Sequence, residues 1–145
     1  ATDCILEEIW SKFRLNVCNN LPQAILGAGV GCYRDSVHMK AISDGLRAEL
    51  IAIAEAKGID ISKADVSSGR GSAVPPTARY STLQDLDAGR HTEIDMFSGA
   101  LIRMGKELGI PTPYNEFTYH MIKALEEKND RRFDYSGSEE PLWAK

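Results

Sequence analysis

Long apolar runs are missing from this 145-residue sequence, and with them the roughly 20 consecutive apolar residues that a membrane-spanning helix needs. No charged, apolar and small-residue succession of a secretory leader opens it either. Basic residues are in deficit, 17 Lys and Arg against 21 Asp and Glu for a formal net charge of -4, with no dense basic cluster. Phosphate neutralisation needs a basic face, so nucleic acid is set aside as the main partner. Cys4, Cys18 and Cys32 are odd in number, lack C-x-x-C spacing and lie in apolar surroundings. They read as reduced structural thiols of a cytoplasmic protein rather than as a disulfide framework. His38, His91 and His120 are scattered singly, so no metal site is expected and a metal-dependent hydrolase has no ligand spacing to support it. Strand signals and internal repeats are lacking too. What remains is one all-α domain, long enough to bury a core without disulfides or a structural metal.

The densest stretch is 79–99, RYSTLQDLDAGRHTEIDMFSG. Ser81 with Gln84, and Thr92 with Asp95, fit the reciprocal cap in which a hydroxyl and a side chain three residues on open a helix. A second helix over 92–108 places Glu93, Phe97, Leu101, Met104 and Leu108 on one stripe, so a carboxylate heads an apolar face. Burial there would favour its protonated form. The alternative is that Glu93 merely occupies the first helical turn, where the dipole favours acids, and that Ser81 is only a cap.

A first helix is predicted over 3–20, with Ile5, Ile9, Lys12, Asn16 and Asn20 on one stripe that turns from apolar to polar. Lys12, Asn16 and Asn20 form a ladder beside the core face. Either they make a site, or the asparagines end the helix near Leu21 and Pro22 while Lys12 snorkels. Gly27, Gly29 and Gly31 follow, but a dinucleotide fingerprint needs a further glycine where Cys32 stands, and a strand before it. A loop is expected there. Asp35 or Ser36 caps a long helix to about Lys57, with Val37, Ile42, Leu46, Leu50, Ile53 and Ala54 inside and Gly58 as its stop. Composition marks 65–76 as a mobile loop. Thr112 and Pro113 open a last helix through Glu127, with Phe117, Met121, Ile122 and Leu125 as its apolar residues. The tail over 129–145 has no helical period, although Phe133, Tyr135, Leu142 and Trp143 offer a docking surface. The chain starts at Ala1 rather than Met, inside an amphipathic pattern, as expected of a piece of a longer protein.

Four blocks carry a family resemblance: W-x-K-x-x-x-N-x-x-x-N at Trp10, Lys12, Asn16 and Asn20; S-x-x-Q-D at Ser81, Gln84 and Asp85; R-x-T-E-I-D-x-x-x-G over 90–99; and P-T-P-x-N over 111–115. In this order they resemble the C-terminal domain of ketopantoate reductase, 2-dehydropantoate 2-reductase. The resemblance implies an all-α domain over 1–128, similar to that of 6-phosphogluconate dehydrogenase; the tail over 129–145 lies outside it and is expected to be flexible from its composition. The resemblance also implies a preceding NADP-binding Rossmann domain that this chain lacks. The activity implied is reduction of ketopantoate to pantoate with NADPH, toward pantothenate and coenzyme A. Lys12 and Glu93 match the family's catalytic lysine and glutamate, and Asn16, Asn20 and Ser81 match its substrate contacts.

Three departures stand out. Asn20, Leu21 and Pro22 reverse the usual N-P-L order, Ser98 replaces a common asparagine, and the segment 27–32 lacks an asparagine that many members bring to the substrate. They keep open another 2-oxo acid or ketone as substrate, and also a non-catalytic helical interaction module. Exposed helices leave homodimerisation open as well. Without the strand, glycine turn and helix that cradle a pyrophosphate, this chain alone is expected to bind NADPH weakly or not at all. Calorimetry should show no low-micromolar association.

Overall fold

A computed structural model describes residues 10, 12–60 and 75–135. Among them are six α-helices: α1 (Leu21–Leu26), α2 (Cys32–Asp35), α3 (Val37–Ala56), α4 (Ser81–Asp87), α5 (Ser98–Leu108) and α6 (Pro113–Asn129). A π-helical turn, Leu15–Asn20, precedes α1, and a 3-10 turn, Ile94–Met96, precedes α5. No strand occurs among the described residues, so the all-α expectation holds. The expectations for residues 1–9, for most of the segment 65–76 and for the tail beyond 135 fall outside the described residues. Phe133 and Tyr135 are exposed.

Helix α3 begins as its sequence demands. Ser36 is extended and its Oγ accepts from Met39 N at 3.2 Å, satisfying one of the orphan donors of the first turn. Gly58 follows the helix at φ 76°, a left-handed conformation that costs a glycine nothing. Leu46, Leu50, Ile53 and Ala54 are buried as expected, joined by Met39. Val37, expected inside, is 78% exposed because it lies at the helix end, before the packed face begins.

Two elements differ from the local reading. The helix expected over 92–108 is broken at Phe97 (φ -105°, ψ -91°) into the 3-10 turn and α5, and Thr92 lies outside both. Helix α6 does start at Pro113, but Thr112 makes no side-chain cap. The cap comes from α3 instead. The buried Glu49 carboxylate accepts from Tyr114 N at 2.8 Å, Asn115 N at 3.0 Å and Asn115 Nδ2 at 2.7 Å. Ser98 of α5 donates its hydroxyl to Asn115 O at 2.9 Å and lies 3.1 Å from Asn115 Oδ1. Further along α6, Ile122 is fully buried, whereas Phe117 is 65% exposed.

Apolar side chains form two clusters. One joins Trp10, Val17 and Cys18 to Leu46, Leu50 and Ile53 of α3 and Leu101 of α5. The other joins Leu21 and Ala24 of α1, Leu83 and Leu86 of α4, Ile94 and Ile122. Helix α6 touches α1, α3, α4, α5 and the 3-10 turn, so its placement sets theirs. Burial pushes the Cys18 thiol up to about 12, as suits an inert core thiol. Replacing Glu49 by Ala strands three donors in the interior and should cost about 3 kcal/mol, whereas Glu49→Gln, which keeps an acceptor oxygen, should cost less. Urea unfolding of both variants measures this.

Candidate functional site

The lysine and the two asparagines sit where the first helix changes pitch. Residues 12–14 are α-helical, the next turn is π-helical, and the chain runs on through Pro22 into α1 rather than stopping there. Two causes are visible. Pro22 has no N–H to give to the preceding turn, and the Tyr33 hydroxyl is inserted in the ladder, accepting from Gln23 N at 3.0 Å and donating to Asn19 O. Burial pushes the Tyr33 phenol well above its ordinary range, so it stays a donor. The wider turn advances fewer degrees per residue than an α-helix, which brings Asn16 and Asn20 into register. Asn20 Nδ2 donates to Asn16 Oδ1 at 2.8 Å. Asn20 is buried, and its Oδ1 has no hydrogen-bond partner among the described residues. Lys12, beside them in sequence, is exposed.

Ser81 is the first residue of α4 and is exposed, with no capping bond from its side chain. The expected reciprocal cap is not made, since Gln84 Nε2 reaches back to Arg79 O at 2.7 Å. The segment before Ser81 is held by Gln23, fully buried on α1, which donates to Ala78 O and accepts from Tyr80 N, both at 2.8 Å. The glycine loop packs on the same segment: Val30 N bonds Ala78 O, and Gly31 N bonds Pro76 O. A Cβ on Gly29 would stand 2.2 Å from Pro76 O, so glycine is needed there for close backbone approach. With those amides already spent, the loop does not fit a phosphate cradle. That agrees with the fingerprint's failure.

Glu93 does not head a buried stripe. It is exposed, and its neighbour Ile94 takes the core position at 1% exposure. Thr92 is no helix cap either; its N and Oγ1 both donate to Oε2 of Glu126, at 2.7 and 2.6 Å, and its Oγ1 accepts from Ile94 N at 3.3 Å. Glu126 is buried on α6. Asp95 Oδ1 accepts from the Tyr119 hydroxyl at 2.7 Å, and Asp95 Oδ2 lies 3.4 Å from Lys123 Nζ. The Tyr119 hydrogen bond, helped by Lys123 and Arg103, holds the Asp95 carboxyl below its usual range. Arg90 Nε lies 3.1 Å from Asp85 Oδ1, and His91 Nε2 lies 2.7 Å from Asp130 Oδ2.

Of the five site residues read from the sequence, the structure brings Asn16 and Asn20 into contact. It also packs their turn against α4, which Ser81 opens. The side chains of Lys12 and Glu93 form no ion pair with each other, nor any hydrogen bond or ion pair with another described residue. Gln23 and Glu126, the anchors beneath Ser81 and Glu93, were not singled out from sequence. Their partners lie far along the chain, and no local pattern carries that signal. No group of three metal-ligating side chains occurs among the described residues, and no described helix is long and apolar enough to cross a membrane. A separate cavity of about 510 Å³ lies where α1, α3 and α6 meet, lined by Ile25, Leu26, Ile42, Tyr114 and Phe117 among others. It contains none of the five residues, and its Thr118 hydroxyl is committed to Tyr114 O and Asn115 O. Such a lining has little with which to orient a small oxo acid.

Comparison with known proteins follows the same lines. The chain is similar to a 2-dehydropantoate 2-reductase of Pyrobaculum aerophilum, 30% identical over 118 residues, which span 81% of this chain and 42% of that protein. Among solved structures it resembles a PanE/ApbA family ketopantoate reductase of Ralstonia eutropha JMP134, with a TM-score of 0.75 and 30% identity over 83% of this chain and 41% of that one. It also resembles a D-mandelate dehydrogenase solved with NADH and anilino(oxo)acetate, with a TM-score of 0.77 and 25% identity over 87% and 42%. The chain thus spans less than half the length of these relatives. A family model described as the ketopantoate reductase PanE/ApbA C terminal matches residues 4–126, and with the helical fold and the four sequence blocks this establishes that the chain belongs to the C-terminal domain family of the ketopantoate reductases.

Proposed function

We propose that this chain is the substrate-binding and catalytic half of an NADPH-dependent 2-dehydropantoate 2-reductase, its domain extending to about residue 128 and preceded in the full-length protein by a dinucleotide-binding domain. One observation carries the reading. In the block over 90–99, Arg90 is paired with Asp85, Thr92 with Glu126, Asp95 with Tyr119 and Lys123, and Ile94 is in the core, while Glu93 alone among its charged residues is exposed and unpartnered. Lys12 has the same status in the first block. Ionisable groups left without a structural partner are available to a substrate.

The chemistry assigns each a task. When bound, the reduced nicotinamide supplies hydride to the substrate carbonyl. Negative charge then develops on the carbonyl oxygen, where the Lys12 ammonium stabilises it and delivers the proton that completes the alcohol. Glu93 orients that ammonium and the substrate hydroxyl. Asn16, Asn20 and Ser81 offer neutral hydrogen bonds to the polar ends of the oxo acid. The unmatched Asn20 Oδ1 supports a ligand that brings a hydroxyl donor, since an unpartnered buried acceptor is costly. A second reading, a reductase of another 2-oxo acid, is favoured by the likeness to D-mandelate dehydrogenase with its bound oxo acid analogue.

Oxidation of NADPH by the full-length protein, followed across 2-oxo acids with and without a second hydroxyl, decides between the two readings. Ketopantoate should be turned over fastest, and a background rate with every acid would reject both. Lys12→Ala should lower kcat by about a hundredfold with the fold intact, the usual scale for a lost general acid. Glu93→Gln should also impair turnover, and if the pair acts as a unit the double variant should be less impaired than the product of the single effects. Near-wild-type kcat in Lys12→Ala would end the mechanistic claim.

A further inference from the structure

Glu126 is a buried carboxylate at 3% exposure, a costly arrangement unless its oxygens are well employed. Its Oε2 is given to one residue, Thr92, through both the backbone N–H and the hydroxyl. Its Oε1 faces Lys123 Nζ at 3.7 Å and the exposed His91 ring, with Nδ1 at 3.8 Å. The residue held so firmly is the one before Glu93. On the other side, Ile94 is sunk in the core with its N–H turned back to Thr92 Oγ1, and the Glu93 carbonyl accepts from Met96 N at 2.9 Å. The backbone of Glu93 is thus tied through both neighbours and its own carbonyl, and only the carboxylate is left without a partner.

We infer that Glu126 is a positioning residue that acts through Thr92 to fix where the Glu93 carboxylate points. This rests on the catalytic role proposed for Glu93. A clamp used only to close the connection between α4 and α5 would stabilise the fold without touching turnover. One that sets the direction of a reacting group enters the rate, because small misplacements of such groups are expensive. The carboxylate is suited to the task because one oxygen receives both Thr92 donors, which fixes the orientation of that residue as well as its distance.

The test uses the full-length protein with NADPH and ketopantoate as the probe. Thr92→Val keeps the shape and the backbone bond but deletes the hydroxyl link, and should lower kcat roughly tenfold with KM little changed. Thr92→Ser should restore it. Glu126→Gln, which still presents an acceptor oxygen to Thr92, should retain most of the turnover that Glu126→Leu loses, and should Glu126→Leu fail to fold, the Thr92 pair decides alone. In a Glu93→Gln background, Thr92→Val should cause no further loss in kcat. A Thr92→Val protein with wild-type kcat and only a lowered Tm, or losses that multiply with those of Glu93→Gln, would overturn the positioning role while leaving Glu93 in place. Wild-type turnover by Glu93→Gln itself would instead remove the proposed role of Glu93, and this inference with it.

Discussion

The fold depends on one carboxylate. A helix that opens on proline still presents unsatisfied N–H groups in its first turn, and where such a group is buried, as at Asn115, water cannot serve it. Here Glu49, in the middle of α3, takes the N–H groups of Tyr114 and Asn115 and the amide of Asn115. Ser98 at the start of α5 completes the cluster through the Asn115 carbonyl. Three helices are tied at one point. Because α6 also contacts α1, α4 and the 3-10 turn, that point transmits its geometry to the elements presenting Ser81 and Glu93.

The same device recurs twice at smaller scale. Gln23 on α1 holds the backbone before Ser81, and Glu126 on α6 holds the residue before Glu93. In each case a buried polar side chain on a helix binds main-chain groups of a loop far off in sequence, and the residue just beyond the anchor faces solvent. Loops positioned by a rigid scaffold are where ligands are usually met. The helical anchors give these loops a rigidity that their composition does not suggest.

Two departures from the family pattern acquire physical content. Ser98, in place of an asparagine, is fully buried and spends its hydroxyl on Asn115, so it serves the helix junction. The loop over 27–31 gives the amides of Val30 and Gly31 to Ala78 O and Pro76 O, with Gly29 admitting the Pro76 carbonyl.

Periodicity and end signals by themselves determined that the chain is helical, where α3 begins and stops, and that α6 starts at Pro113. Each of these depends on residues within a turn of one another, such as Ser36 with Met39. The motif blocks likewise marked Lys12, Asn16, Asn20, Ser81 and Glu93 as a set. The burial around Glu93, the cap of α6 and the pairing of the asparagines were decided only by tertiary structure. Glu93 was placed on a core stripe by a spacing that assumed an unbroken helix, and the break at Phe97 turned it outward and put Ile94 inside. Thr112 had the chemistry of a cap, but Glu49 from another helix took the donors. The register of Asn16 with Asn20 needed the inserted Tyr33 hydroxyl and a π-helical turn. For the cap and the asparagine register the physical reason is the same: which partner satisfies a polar group depends on what the fold brings within about 3 Å of it, and Glu49 with Tyr114, or Tyr33 with Asn19, are too far apart in sequence for a local pattern to pair them.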